Sequence, residues 1–157
     1  MKRHDRLIPL THDHHHALAQ ARQLERAATG DASERLLQAR EFNSFFEDDT
    51  LAHFREEEES LFPLVIDEDE AQPMLSQAML EHLRIHRLVN GLRSSAARGD
   101  ISSESMTCLA QALSDHIHLE EKVLFPMIER LVPQELEGLS LRPRDRSLAA
   151  RTSIGGV

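Results

Sequence analysis

Tyrosine and tryptophan are absent from this 157-residue chain, and cysteine occurs once. Without tyrosine, no phenol is available for oxidation to a radical. The single Cys108 cannot close an internal disulfide, which suits a reducing, cytoplasmic location. Its place beside the apolar stripe of the last helical segment predicts a small buried hydrophobe. No apolar run approaches membrane-spanning length, and the N-terminal Met1-Lys-Arg-His-Asp lacks the apolar stretch of a signal peptide. A basic excess is also missing. Asp and Glu number 27 against 18 Lys and Arg, a net charge of -9, which argues against nucleic-acid binding. The basic run Arg142-Pro-Arg-Asp-Arg is too short to offset that. Glycine and proline number six each, and β-branched or aromatic runs are few, so an all-α class is expected for what is, by its length, one domain.

What the chain does hold is a segment written twice. His53-Phe-Arg-Glu-Glu57-Glu-Glu-Ser-Leu61-Phe62-Pro63 returns as His116-Ile-His-Leu-Glu120-Glu-Lys-Val-Leu124-Phe125-Pro126. Each copy has His at i, Glu at i+4 and i+5, then Leu-Phe-Pro at i+8 to i+10. On an α-helix, positions i and i+4 project from nearly the same face. Each copy therefore directs an imidazole and a carboxylate at one point.

Four helical segments follow from periodicity and breakers. The first runs from about Thr11, with Thr11 or Asp13 as its cap, to Ala28 before Gly30. The second starts near Ala32-Ser33 and ends near Val65, before the acidic turn Asp67 to Glu70. The third runs from Pro73 to about Ala97, before Gly99-Asp100. The fourth, capped by Ser102 or Ser103, reaches about Val132. Core-type stripes step by three or four along each. In the second, Phe42, Phe46, Thr50, His53, Glu57 and Leu61 lie on the stripe; in the fourth, Met106, Leu109, Leu113, His116, Glu120 and Leu124 do. Short connections predict an antiparallel up-down-up-down four-helix bundle built from a helix hairpin used twice, with pseudo-two-fold symmetry. Residues 1–10 read as an N-terminal arm, 11–132 as the bundle, and 133–157 as a partly disordered C-terminal tail. Proline late in the second and fourth segments predicts a kink or an end near Pro63 and Pro126, with Phe62 and Phe125 closing one end of the core.

Polar groups on a core stripe are costly unless paired. Seven such groups converge in this reading: His14, His53, Glu57, His82, His86, His116 and Glu120. Five neutral imidazoles and two carboxylates suit iron, manganese or zinc, and two metals would use the carboxylates as bridges. Of the Glu56 to Glu59 run, the stripe selects Glu57 and leaves the other three at the surface. His118 and His4 read as exposed or loosely held. His12, His15 and His16 crowd His14 as exposed residues, with His15 a candidate for a supporting group. No HExxH is present, no Glu-x-x-His pair of the ferritin-like kind, no Pro-Cys-x-x-Cys after His118-x-Glu120, and no phosphate-cradling Gly-rich loop.

The ordered set of His14, His53-x-x-x-Glu57, His82-x-x-x-His86 and His116-x-x-x-Glu120, with two Leu-Phe-Pro tails, resembles the hemerythrin family and the broader hemerythrin-like HHE domains. The resemblance covers roughly Leu10 to Leu131. It implies that His82, His86 and His116 bind one iron. His14 and His53 then bind the other, which keeps an open position for a small ligand. Glu57 and Glu120 bridge the two, with a solvent-derived oxygen. Oxygen-carrying hemerythrins have an aspartate five residues after the fourth-helix histidine; here Glu121 holds that place and Glu120 the i+4 place, which helical geometry favours.

Three functions fit this reading. The first is a di-iron protein that binds dioxygen, or another small diatomic ligand, for storage, delivery or sensing. The second is an oxidoreductase acting on nitric oxide or peroxide. The third is a metal store or a bundle held by structural metal, with zinc or manganese as substitutes. Turnover or sensing would require a separate redox or signalling protein as partner. Neither nucleic acid nor membrane is expected as a partner.

Overall fold

The computed structural model describes residues 2–141. The disorder expected beyond that point, and the basic run from Arg142, lie outside the described residues. All the regular elements described are helical. The first long helix is Ile8–Ala28. The second spans residues 32–65 and changes winding along its length: α over Ala32–Phe45, π over Phe46–Thr50, α over Leu51–Glu56, π over Glu57–Leu61 and 3-10 over Phe62–Val65. The third is Gln72–Arg98. The fourth spans residues 103–131, α over Ser103–Leu119, π over Glu120–Leu124 and α over Phe125–Leu131. A short helix, Pro133–Glu137, follows. No helix among the described residues is long and apolar enough to cross a membrane.

The helix ends have local causes. Asp31 and Glu34 form a reciprocal capping box at the start of the second helix, and the Ser102 hydroxyl accepts from the Ser105 N–H at the start of the fourth. Gly99, at φ 71°, closes the third in the left-handed conformation that glycine adopts without Cβ strain. The first helix departs from expectation. It begins three residues before Thr11, with Pro9 in its first turn, after a 3-10 turn over Asp5–Leu7. Neither Thr11 nor Asp13 caps it, because both lie inside the helix, and their side chains turn to the site described below. The arm is also held down: Leu7 and Leu10 are buried, His4 Nε2 lies 3.0 Å from Glu137 Oε1, and Arg3 pairs with Glu121 and Glu129. Leu136 and Leu139 are likewise buried, so the chain just past Val132 packs on the bundle. Cys108 is exposed, a correction to the buried position expected from its sequence neighbours: the stripe passes through Met106, Leu109 and Leu113 and leaves the thiol on the outer face.

Two of the π segments follow from the repeated Leu-Phe-Pro. A helical proline clashes with the carbonyl four residues before it. For Pro63 and Pro126 those residues are Glu59 and Lys122, each inside a π turn. Widening the turn makes room for the ring. The Phe62 N–H then donates to the Glu57 carbonyl and the Phe125 N–H to that of Glu120. The second helix tightens and ends within a turn of Pro63, whereas the fourth continues past Pro126 to Leu131.

The first helix packs against the second and fourth, and the third against the same two. The interior divides into two apolar clusters. One holds Ala17, Leu24, Phe42, Phe46, Phe54, Ile85, Leu109, Leu113 and Ile117; the other holds Leu7, Leu10, Leu61, Phe62, Ala78, Leu124, Phe125 and Ile128. Each fully buried Leu, Ile or Phe contributes about 1.5–3 kcal/mol. Along every long helix the crossing from one cluster to the other is made by the polar residues: His14 between Leu10 and Ala17, His53 and Glu57 between Phe46 and Leu61, His82 between Ala78 and Ile85, and His116 and Glu120 between Leu113 and Leu124.

Candidate metal centre

That polar layer is a closed constellation. His14, His53, His82, His116, Glu57 and Glu120 are all buried, the two glutamates completely. They form two groups, His14/His53/Glu57/Glu120 and His82/His116/Glu57/Glu120, in which the ligand atoms lie within 4.8 Å of one another. Both carboxylates belong to both groups. His53 Nε2 lies 2.9 Å from Glu57 Oε1, and His82 Nε2 lies 3.3 Å from Glu57 Oε2. His14 Nε2 lies 3.0 Å from Glu120 Oε2, and His116 Nε2 lies 3.2 Å from Glu120 Oε1. Each glutamate thus offers one oxygen to each half.

All four imidazoles turn the other nitrogen outward onto a carboxylate. His14 Nδ1 meets Glu121 at 2.6 Å, His53 meets Asp13 at 3.2 Å, His82 meets Glu58 at 2.7 Å, and His116 meets Glu81 at 2.9 Å. The pattern is cyclic. An acid on the first helix serves the histidine of the second, one on the second serves the third, one on the third serves the fourth, and one on the fourth serves the first. A carboxylate behind an imidazole fixes the Nδ1–H tautomer and raises the basicity of Nε2. Glu121 is itself held by the Thr11 hydroxyl at 2.8 Å and by Arg3, which also donates to the Glu121 backbone carbonyl at 2.9 Å.

With Nδ1–H turned outward, the layer presents lone pairs to lone pairs. In that tautomer the carboxylate oxygens of Glu57 and Glu120 receive no hydrogen bond despite complete burial. His14 and His53 bring their Nε2 atoms to 2.9 Å, and His82 and His116 to 3.1 Å. Acceptors crowded in this way need a shared cation. Two ligand atoms about 2.1 Å from one ion stand roughly 3.0–3.4 Å apart, close to the spacing seen here. Nitrogen and oxygen donors of this kind suit a first-row divalent metal.

Protons can supply the positive charge in its place. Burial pushes the His82 imidazole down, but hydrogen bonds to Glu120 and Glu57 outweigh it and hold the group at about 10. His116 is likewise lowered by burial but raised by the Glu120 charge, to about 9. His14 and His53 are also raised against burial, His14 chiefly by hydrogen bonds to Glu120 and Glu121, and His53 chiefly by the Glu57 charge. Burial and the Glu57 charge push Glu120 up; His116 and His14 overcome both and hold it at about 2. Glu57 is held well below the usual carboxylate range, with the penalty of burial outweighed by His53, His14 and His82.

Phenylalanines fix the ring planes. Phe54 stacks on His82 with ring centroids 3.8 Å apart and planes 15° apart. Below the layer Phe62 stacks on His82 and Phe125 on His14, at 6.0 and 5.4 Å, so the two Leu-Phe-Pro phenylalanines occupy matching places. Beside His14 and His53 runs a narrow cavity of about 20 Å³. Ala17, Phe45, Thr50, Phe54, Leu113 and Ile117 contribute to its wall. His116 also lines it, and His82 does not.

His86 is the one predicted ligand that belongs to neither group. It lies a helical turn beyond His82, about 6 Å along the axis, at the level of the apolar cluster that holds Phe46 and Phe54. Its ring stands edge-on to Phe46 at 5.6 Å and to Phe54 at 5.9 Å. Phe54 thus meets both rings, stacked on His82 and edge-on to His86. Glu56, read as a surface residue, is buried, and Glu58 is tied to His82. The four outer carboxylates were not part of the predicted ligand set. Each adjoins an inner ligand in sequence, in Asp13-His14, Glu57-Glu58, Glu81-His82 and Glu120-Glu121.

A helical bundle with a buried carboxylate-and-imidazole layer across its core is a metal-binding domain by its chemistry. The chain belongs to the hemerythrin family: the model of the hemerythrin HHE cation-binding domain matches residues 9–128. No curated protein and no solved structure matches it.

Proposed function

We propose that this protein is a non-haem di-iron protein. It binds dioxygen, or a similar small ligand, between a two-carboxylate bridge and four histidines, for storage, delivery or sensing. The observation that carries this reading is that Glu57 and Glu120 are shared by both ligand groups, which is the arrangement a dinuclear centre requires. His14 and His53 hold one iron, and His82 and His116 the other. The irons supply affinity for the ligand. The chain supplies a buried, phenylalanine-lined enclosure, fixed imidazole tautomers and a cavity on the His14/His53 side.

The bundle is taken to run up-down-up-down with pseudo-two-fold symmetry. The third helix has 27 residues and is about 40 Å long. The connection before it, residues 66–71, spans about 20 Å at full extension, too little to return the chain to the far end. The matching π turns after Glu57 and Glu120 support the repeat.

The test is anaerobic loading with ferrous iron, a count of bound metal, and the visible spectrum as air is admitted and withdrawn. Two irons per chain and a reversible oxygen-dependent absorption band are expected. Irreversible oxidation would point instead to an oxidoreductase of nitric oxide or peroxide chemistry. A preference for zinc or manganese with less than one iron would leave a metal store or a metal-stabilised bundle.

A further inference from the structure

The cavity wall contains one buried polar side chain that the site does not use. Thr50 is 5% exposed, and its Oγ1 has no hydrogen-bond partner. It closes the π segment Phe46–Thr50, the one π turn of the second helix that no proline accounts for. In an ordinary α-helix a threonine hydroxyl commonly bonds back to the carbonyl four residues earlier. That carbonyl belongs to Phe46, and here it accepts the Leu51 N–H across the widened turn. Thr50 lines the cavity three residues before His53, and its hydroxyl is left without a protein partner.

The rest of the wall leaves this hydroxyl little competition. Ala17, Phe45, Phe54, Leu113 and Ile117 are apolar. Asp13 and Asp49, when ionised, are acceptors only. His16 lies at the exposed rim. A cavity of about 20 Å³ has room for little more than one water-sized group. The Nδ1–H groups of His14, His53 and His116 are committed to carboxylates, so anything seated there meets Thr50 as the buried neutral donor still without a partner.

We propose that Thr50 determines ligand specificity: its hydroxyl donates a hydrogen bond to a small acceptor-bearing ligand seated in the cavity beside His14 and His53. The inference rests on the di-iron reading above and adds the chemical class of ligand, a small anion or diatomic whose outer atom accepts a hydrogen bond. Thr50 belongs to neither ligand group, so metal content should be independent of it. Thr50→Val keeps the shape and removes the donor, and Thr50→Ser keeps the donor.

The probe is azide, titrated into oxidised, iron-loaded full-length protein, with iron counted in every sample. Thr50→Val is expected to bind azide about tenfold more weakly or worse, with iron content unchanged and Thr50→Ser close to the parent. A second readout needs no metal. Because the hydroxyl has no protein partner, metal-free Thr50→Val should melt no lower than the metal-free parent. Equal azide affinity in Thr50→Val and parent overturns the assignment and leaves the di-iron reading intact. A lower melting temperature for metal-free Thr50→Val also overturns it, because the hydroxyl would then have a structural partner. A parent that loads iron but binds no azide overturns the assignment too. A parent that loads no iron overturns both readings.

Discussion

The Nδ1 atom of His14 stands 2.6 Å from Oε1 of Glu121, while its Nε2 stands 3.0 Å from Oε2 of Glu120. Two consecutive residues of the fourth helix therefore grip one imidazole from opposite sides. The π turn that begins at Glu120 places both near the same ring. Helical geometry alone selects Glu120 as the inward residue, and the structure gives Glu121 the supporting position. Glu121→Ala removes the acceptor that fixes the His14 tautomer and leaves Arg3 and Thr11 without that partner. Metal affinity should fall by about 10–100-fold while helicity is retained. Competition with a chelator measures it, and an unchanged affinity would count against any role for the outer carboxylates.

The inner layer was legible in the sequence because the two constraints on it reinforce each other. His53/Glu57 and His116/Glu120 each lie on a stripe whose other members must be apolar, so polar residues there demand a common partner. His86 satisfied the same rule and still fell outside the cluster. Stripe membership gives a face but not a height: His86 stands one turn past His82, beside Phe46 and Phe54. The outer carboxylates were hidden for the opposite reason. Asp13, Glu58, Glu81 and Glu121 lie just off the stripe, where acidic residues in a chain of net charge -9 look like ordinary solvated surface. The buried arm was missed because residues 1–10 are too short to show periodicity. Leu7 and Leu10 are anchored by packing, and Arg3 by acids from the far end of the chain.

His86 offers a direct comparison with His82. If the ligand groups are those the geometry defines, His86→Ala should still bind two metals per chain, and His82→Ala should lose the metal of its own half. His86→Ala should nonetheless lower stability by about 1–3 kcal/mol, because a partly buried ring packed edge-on to Phe46 and Phe54 is removed. Metal counting and chemical denaturation read the two effects separately. Loss of one metal from His86→Ala would restore it as a fifth imidazole ligand.

Sharing of the carboxylates makes the consequences of substitution unequal. His53 serves one group, whereas Glu57 serves both. His53→Ala should therefore retain one metal, held by His82, His116, Glu57 and Glu120. Glu57→Ala should bind less than one, since each half loses an oxygen and the remaining Glu120 carries the whole bridge. Equilibrium dialysis with ferrous iron or zinc distinguishes these outcomes. Glu57→Ala holding two metals would exclude a bridging role for that residue.

Stability of the metal-free protein should vary with pH in a defined direction. The imidazoles are raised in the folded state, His116 to about 9 and His82 to about 10, from an ordinary value of 6.5. Their contribution is fully present below about 6.5 and is lost as pH rises through 9 to 10. Glu120 and Glu121 are lowered to about 2 from 4.5, and Glu57 well below it. Their contribution is present above about 4.5 and is lost as pH falls toward 2. These shifts describe the same histidine–carboxylate pairs from either end and are not additive. Chelator-treated protein should therefore melt highest between about pH 4.5 and 6.5 and progressively lower through pH 9. Metal displaces the imidazole protons, so loading releases protons and weakens as pH falls. The melting-temperature gain on adding metal should consequently widen from about pH 6 to pH 9. Calorimetric melts with and without metal across that range measure both trends. A metal-free melting temperature that rises steadily toward pH 9 would show that carboxylate–imidazolium pairing does not hold the metal-free layer together.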